Sequence, residues 1–172
     1  STAGFNTLDV NGNPTTPITN QLVNFGWEYV FHCHILSHEE MDMMRPVSVA
    51  LPPTAPSVVG WTTSGKGNKT SLTLTWNDNS ITETAFVVQR SIAGGAWADL
   101  ATILSPLDQP NTHGVRTYTD NTFRWNTNAY SYRVVALNQV GYGGQYESMT
   151  VQSVSGSVGP ILAPSGLTAA LQ

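Results

Sequence analysis

The chain has 172 residues, with 7 basic and 11 acidic side chains, a formal net charge of -4 and a pI near 5.4. That length allows one or two domains, the acidic balance argues against nucleic acid as a partner, and no apolar run approaches the roughly 18 residues of a membrane-crossing helix. Charged residues make up only 10% of the chain and polar Ser, Thr, Asn and Gln take their place, as is common in secreted β-proteins, so a secreted or periplasmic setting is expected.

The chain starts at Ser1 rather than Met, which reads as a mature, processed or excised piece. Residues 1–24 are rich in Asn, Thr, Gly and Pro and read as a long loop with short edge strands. Residues 25–34, FGWEYVFHCH, are aromatic and β-branched and predict a strand. Ser37 to Glu40 fits a capping box that opens a short helical turn. Residues 45–51, RPVSVAL, predict a closing strand, and PPTAP after it reads as a proline-rich linker at a domain boundary.

From residue 56 to 158 short alternating runs recur between turn residues: SLTLTW, AFVVQR, ADLATI, RTYTD, YSYRVVALN and SMTVQSV. Their spacing and alternation predict an all-β sandwich. LPPTAPSVVG at 51–60 and GPILAPSGLT at 159–168 form a faint repeat about one Ig-like domain apart. Residues 159–172 therefore read as a linker and the start of a second, similar module.

Chemistry concentrates in YVFHCHILSHEEMDMM, residues 29–44, which holds the single cysteine and three of the four histidines. One cysteine excludes an internal disulfide, so Cys33 needs another role. On a strand, His32 and His34 point to one face and Cys33 to the other. A turn after the strand brings His38 and Met43 back toward Cys33. A thiolate, an imidazole and a thioether are three of the four donors of a blue-copper electron-transfer site. Zinc is the rival, since Cys and His suit it too; two histidines on the opposite face and a methionine ten residues on fit it less well.

At these residues the chain resembles the C-terminal signature of multicopper oxidases, the laccase and ascorbate-oxidase superfamily. His32-Cys33-His34, His38 and Met43 follow that signature in full, and NFGWEYVF resembles the strand leading into it. The resemblance implies that Cys33 and His38 bind a type 1 copper with Met43 as weak axial ligand. It implies that His32 and His34 each bind a type 3 copper of a trinuclear cluster, where dioxygen is reduced to water. It covers only residues 1 to about 52, and the family's other His-X-His segments are absent. The expectation is the last strands of a cupredoxin-like Greek-key domain, a fragment whose missing cupredoxin segments come from the same or another chain. Alone, the chain would be inactive.

Residues 53–158 resemble a fibronectin type III domain. Trp76 stands at the core tryptophan of the second strand, Phe86 to Arg90 at the third strand and Tyr130 to Asn138 at the sixth, with Tyr130 at the tyrosine corner. The loop at 104–116 is long for that pattern. Trp97 and Trp125 are aromatics that either stack on a polysaccharide or simply pack. His113 reads as a solvated loop residue.

Two functions from different classes follow. One is a fragment of a secreted oxidase that couples one-electron oxidation of a phenolic or metal-ion substrate to dioxygen reduction. The other is a non-catalytic adhesive or spacer module carrying a remnant copper motif, with polysaccharide or cell-surface contacts. The acidic, methionine-rich turn from Glu39 to Met44 would suit cationic substrates, and equally a solvated face.

Overall fold

The structure, a computed structural model, describes residues 4–5, 8, 11–14, 18–19, 24–66, 69–105, 113–125, 128–141 and 149–162. It is nearly all β. The polar N-terminal stretch holds a small antiparallel pair, β1 (Gly4–Phe5) and β2 (Ile18–Thr19), with an isolated bridge between Leu8 and Pro14. Next comes a separate ribbon of β3 (Trp27–His32) and β4 (Met44–Val49), in register from Trp27 opposite Val49 to His32 opposite Met44.

Between the ribbon strands lies α1 (Leu36–Glu39). The capping box expected at Ser37 and Glu40 does not form. Ile35 takes the extended N-cap position with no side-chain cap, and its carbonyl accepts from His38 N and Glu39 N at 2.9 and 3.0 Å. The helix starts two residues early, so the Ser37 hydroxyl already lies inside the first turn, past the position where a cap works.

The remaining strands are β5 (Ser57–Ser64), β6 (Ser71–Asp78), β7 (Ala85–Ile92), β8 (Ala98–Leu104), β9 (Gly114–Asp120), β10 (Tyr130–Val140), β11 (Met149–Val154) and β12 (Val158–Ile161). One antiparallel sheet runs β5-β6-β9 and the other β11-β10-β7-β8. The alternation of SLTLTWND becomes alternate burial, with Leu72, Leu74 and Trp76 facing inward. They meet Phe86 and Val88 from β7 and Tyr132, Val134 and Ala136 from β10 in one core. Full burial of each such aliphatic or aromatic side chain contributes roughly 1.5–3 kcal/mol. Trp76 meets the Phe86 ring edge-on at 5.9 Å between centroids.

A buried carboxylate ties the two sheets together. Asp120 at the end of β9 accepts from Arg90 Nη1 (2.7 Å) on β7 and from the Tyr132 hydroxyl (2.9 Å) on β10. Thr122 donates to its other oxygen from backbone N (2.8 Å) and Oγ1 (2.6 Å). Burial pushes the Asp120 carboxyl up, but the donors from Thr122 and Tyr132 and the Arg90 charge outweigh it and hold it below its ordinary value. Burial first, and then the neighbouring Asp120 charge, push the Tyr132 phenol strongly upward.

The sandwich ends later than the expected boundary at 158. β12 pairs with the first half of β10, continuing the edge begun by β11, and Ile161 packs into the core at 3% exposure. The break between β11 and β12 is bridged by Ser155. Its backbone N donates to Val134 O and its Oγ accepts from Val134 N, both at 2.9 Å. Gly159, at φ +123°, passes so close to β10 that a Cβ would stand 2.6 Å from Tyr130 O. Part of the expected linker at 159–172 is thus sheet; the rest, including the second APS triplet, lies outside the described residues, as does most of the long loop at 104–116.

The aromatics weighed as sugar platforms pack against protein. Trp125 meets Phe123 at 4.9 Å, and the Arg133 guanidinium lies 4.4 Å over the Trp97 ring. His113 is exposed beside the start of β9.

Candidate metal centre

Antiparallel partners share a face. One face of the ribbon therefore carries Trp27, Tyr29, Phe31, Val47 and Val49, and the other carries Val30, Pro46, His32 and Met44. Both faces are open: Phe31 is 75% exposed, Trp27 58% and Val30 56%. A two-stranded ribbon is marginal by itself, and Trp27, Tyr29, Phe31, Val47 and Val49 form one contiguous row of exposed apolar side chains.

The strand stops at His32. Cys33 and His34 lie beyond the ladder, correcting the expectation that all three residues ride one strand. The side-by-side placement of the two histidines is nonetheless present, with ring centroids 4.7 Å apart and planes tilted by 46°. His32 Nδ1 is shielded from solvent and has no hydrogen-bond partner. A shielded imidazole nitrogen without a partner is costly unless a donor or a metal meets it. Cys33 is free and exposed.

His38 and Met43 are joined to each other through the helix end. Asp42 adopts the left-handed conformation at φ 53°. Asp42 N donates to Glu39 O and Met43 N donates to His38 O, each at 3.1 Å. This pair of bonds around a left-handed residue is a Schellman closure, normally built on Gly or Asn. It explains the spacing physically: four residues separate His38 from Met43, yet one hydrogen bond joins their backbones. Among the described residues no group of three or more His, Cys, Asp or Glu side chains is placed to hold a metal. The structure therefore pairs His32 with His34 and links His38 to Met43, but gathers no closed centre from Cys33 and the histidines.

A feature with no local sequence signal is the joint at the ribbon's other end. Asn24 Nδ2 donates to Asn138 Oδ1 at 2.7 Å and to Gln139 O at 3.2 Å, and Asn24 O accepts from Gly141 N at 2.8 Å. Asn138 Nδ2 in turn donates to Leu51 O at 2.9 Å. A cavity of about 200 Å³ lies beside these residues, lined by Asn24, Trp27, Val49, Ile81 and Glu83 among others. Glu83 Oε1 accepts from the Ser105 hydroxyl at 2.9 Å.

The multicopper oxidase family model matches residues 4–52. A laccase from Bacillus stratosphericus is 40% identical to this chain over 43 residues, which are 25% of this chain and 8% of that protein. The chain thus spans under a tenth of the length of that relative. No solved structure matches the chain.

Proposed function

We propose that residues 4–52 are the closing segment of a cupredoxin domain in a multicopper oxidase, and that the sandwich from 57 to 161 is a fibronectin type III-like module attached to it. The observation that carries the first part is the pair of imidazoles at His32 and His34, one with a shielded, unpartnered nitrogen, inside the span that the family model matches. The donor chemistry fits copper: a free thiol, imidazoles and a thioether within one short segment. The open ribbon faces fit a segment whose neighbouring strands lie elsewhere in the parent protein. For the second part, the support is the pairing of a three-stranded with a five-stranded sheet, in which β12 continues the edge of β11, with Trp76 in the core and Tyr132 anchored on Asp120.

In this reading Cys33, His38 and Met43 would hold a type 1 copper, and His32 and His34 would contribute to a trinuclear cluster. Bound copper would supply one-electron chemistry, accepting electrons from a phenolic or metal-ion substrate and passing them to dioxygen to give water. The chain's own part is to present the thiolate of Cys33 one peptide bond from each histidine, and to hold His38 beside Met43 through the Schellman closure. The histidines still needed come from the missing cupredoxin segments. The parent works outside the cytoplasm.

The test on this chain is protection of Cys33. One equivalent of Cu(I) should slow alkylation of the Cys33 thiol. His38→Ala and Met43→Ala should each weaken that protection, the histidine by about tenfold or more, since even outer-sphere changes cost that much. Alkylation at the same rate with and without copper, or full protection in His38→Ala, would favour the second class, a non-catalytic module with a remnant motif.

A further inference from the structure

We infer that the sandwich is a fixed buttress for the ribbon that carries His32 and Cys33, docked through Asn24 and Asn138, rather than a module swinging on a linker. The proposal does not depend on the copper reading, because it concerns the opposite end of the ribbon.

Three observations carry it. The first is that the chain entering β3 is tied to the sandwich by Asn24. Its side-chain amide donates to Asn138 Oδ1 and Gln139 O, its Oδ1 accepts from Gly26 N at 2.9 Å, and its carbonyl accepts from Gly141 N. Asn138 is only 3% exposed, so its amide needs these partners. The second is that the chain leaving β4 is tied down as well. Asn138 Nδ2 holds Leu51 O, Thr54 N donates to Ser80 Oγ at 3.2 Å, and Asn79 Nδ2 donates to Ala55 O and Ser57 Oγ, both at 3.0 Å. Pro53 and Pro56 are buried. The PPTAP stretch that reads as a free linker is therefore a strap along the turn after β6. The third is steric. Gly26, at φ +68°, lies so close to both units that a Cβ would meet Val49 O at 2.5 Å and the Val140 methyls at 3.2 Å.

Two crossings pinned at separate points remove the swivel that a single tether allows. The side-chain amides of Asn24 and Asn138 are spent on each other and on backbone groups of both units, as in an interface. His32 lies six residues along β3 from Gly26, about 20 Å at strand rise. The sandwich thereby fixes the direction in which the ribbon presents its histidines and thiol to whatever covers it.

The test is made on the full chain by NMR. Residual dipolar couplings from β3 and β4 amides and from β6, β7 and β10 amides should fit one alignment tensor. Gly26→Ala should split them into two tensors while leaving the core signals of Trp76 and Val134 in place. Asn24→Ala, a milder change, should speed amide exchange at Gly141 by about tenfold or more, with exchange at Val88 and Val134 unchanged. Two independent tensors in the wild-type chain would overturn the proposal, as would a Gly141 amide whose exchange is the same in Asn24→Ala.

Discussion

Replacing Asp120 by asparagine isolates the polar link between the two sheets of the sandwich. The carboxylate accepts four bonds, with Arg90 and Tyr132 on Oδ2 and both Thr122 donors on Oδ1. An asparagine can keep its oxygen toward Thr122, which places its NH2 against Arg90 and Tyr132. The tyrosine hydroxyl can turn to accept, but a guanidinium has no acceptor. One charge-assisted bond is therefore lost and a donor faces a donor. Asp120 is 2% and Arg90 16% exposed in their side chains, so this pair is not screened as a surface pair would be. The expected cost is about 2–3 kcal/mol, a large share of the roughly 5–15 kcal/mol that a domain has in total.

The pH dependence follows from the same geometry. The folded carboxyl of Asp120 is held below its ordinary value, so its stabilisation is complete above the unfolded value of about 3.9. It is lost as pH falls from there through the folded value. Urea unfolding of the wild-type chain and Asp120→Asn, followed by tryptophan fluorescence, should show the full difference at pH 7 and a shrinking one below pH about 4. A difference under about 0.5 kcal/mol at pH 7, or one that persists undiminished at pH about 2, would refute the assignment of Asp120 as the charged hub.

Asp42→Gly should relieve the left-handed strain at the helix end by about 0.5–1 kcal/mol, slowing exchange of the Met43 amide roughly two- to fivefold; faster exchange would show that the closure does not depend on this conformation. In the copper-loaded parent, Met43→Leu should keep the copper and raise its reduction potential, because the thioether is a weak axial donor to the oxidised metal. An unchanged or lowered potential in a voltammetric titration would remove Met43 from the axial position.

The sequence exposes the candidate site because metal chemistry requires particular donors at short spacing, so His32, Cys33, His34, His38 and Met43 stand out without a structure. The strands of the sandwich were legible for a similar reason: alternation in SLTLTWND and in YSYRV maps onto inward and outward faces, whereas from Val135 to Asn138 the pattern breaks, with Val135 and the polar Asn138 both buried. What escaped depended on distant partners. β12 contains Gly159 and Pro160 and has no alternation of its own, so only its pairing to β10 makes it a strand. The Schellman closure sits on Asp42, where Gly or Asn would have signalled it. The strand ending at His32 is set by its pairing with Met44 across an intervening turn. Asn24 and Asn138 are 114 residues apart, and a polar pair at that separation leaves no periodic trace. The Asp120 hub likewise draws Arg90 and Tyr132 from two other strands.

Whether Cys33 is a copper ligand is decided by the copper content and EPR spectrum of the native protein that carries this chain, measured together with its mass. If residues 4–52 close a copper-bearing cupredoxin domain, the native particle is heavier than the 18.5 kDa of these residues, with copper bound and a type 1 signal that disappears in Cys33→Ser. A native particle without copper, or a type 1 signal that survives Cys33→Ser, would contradict it.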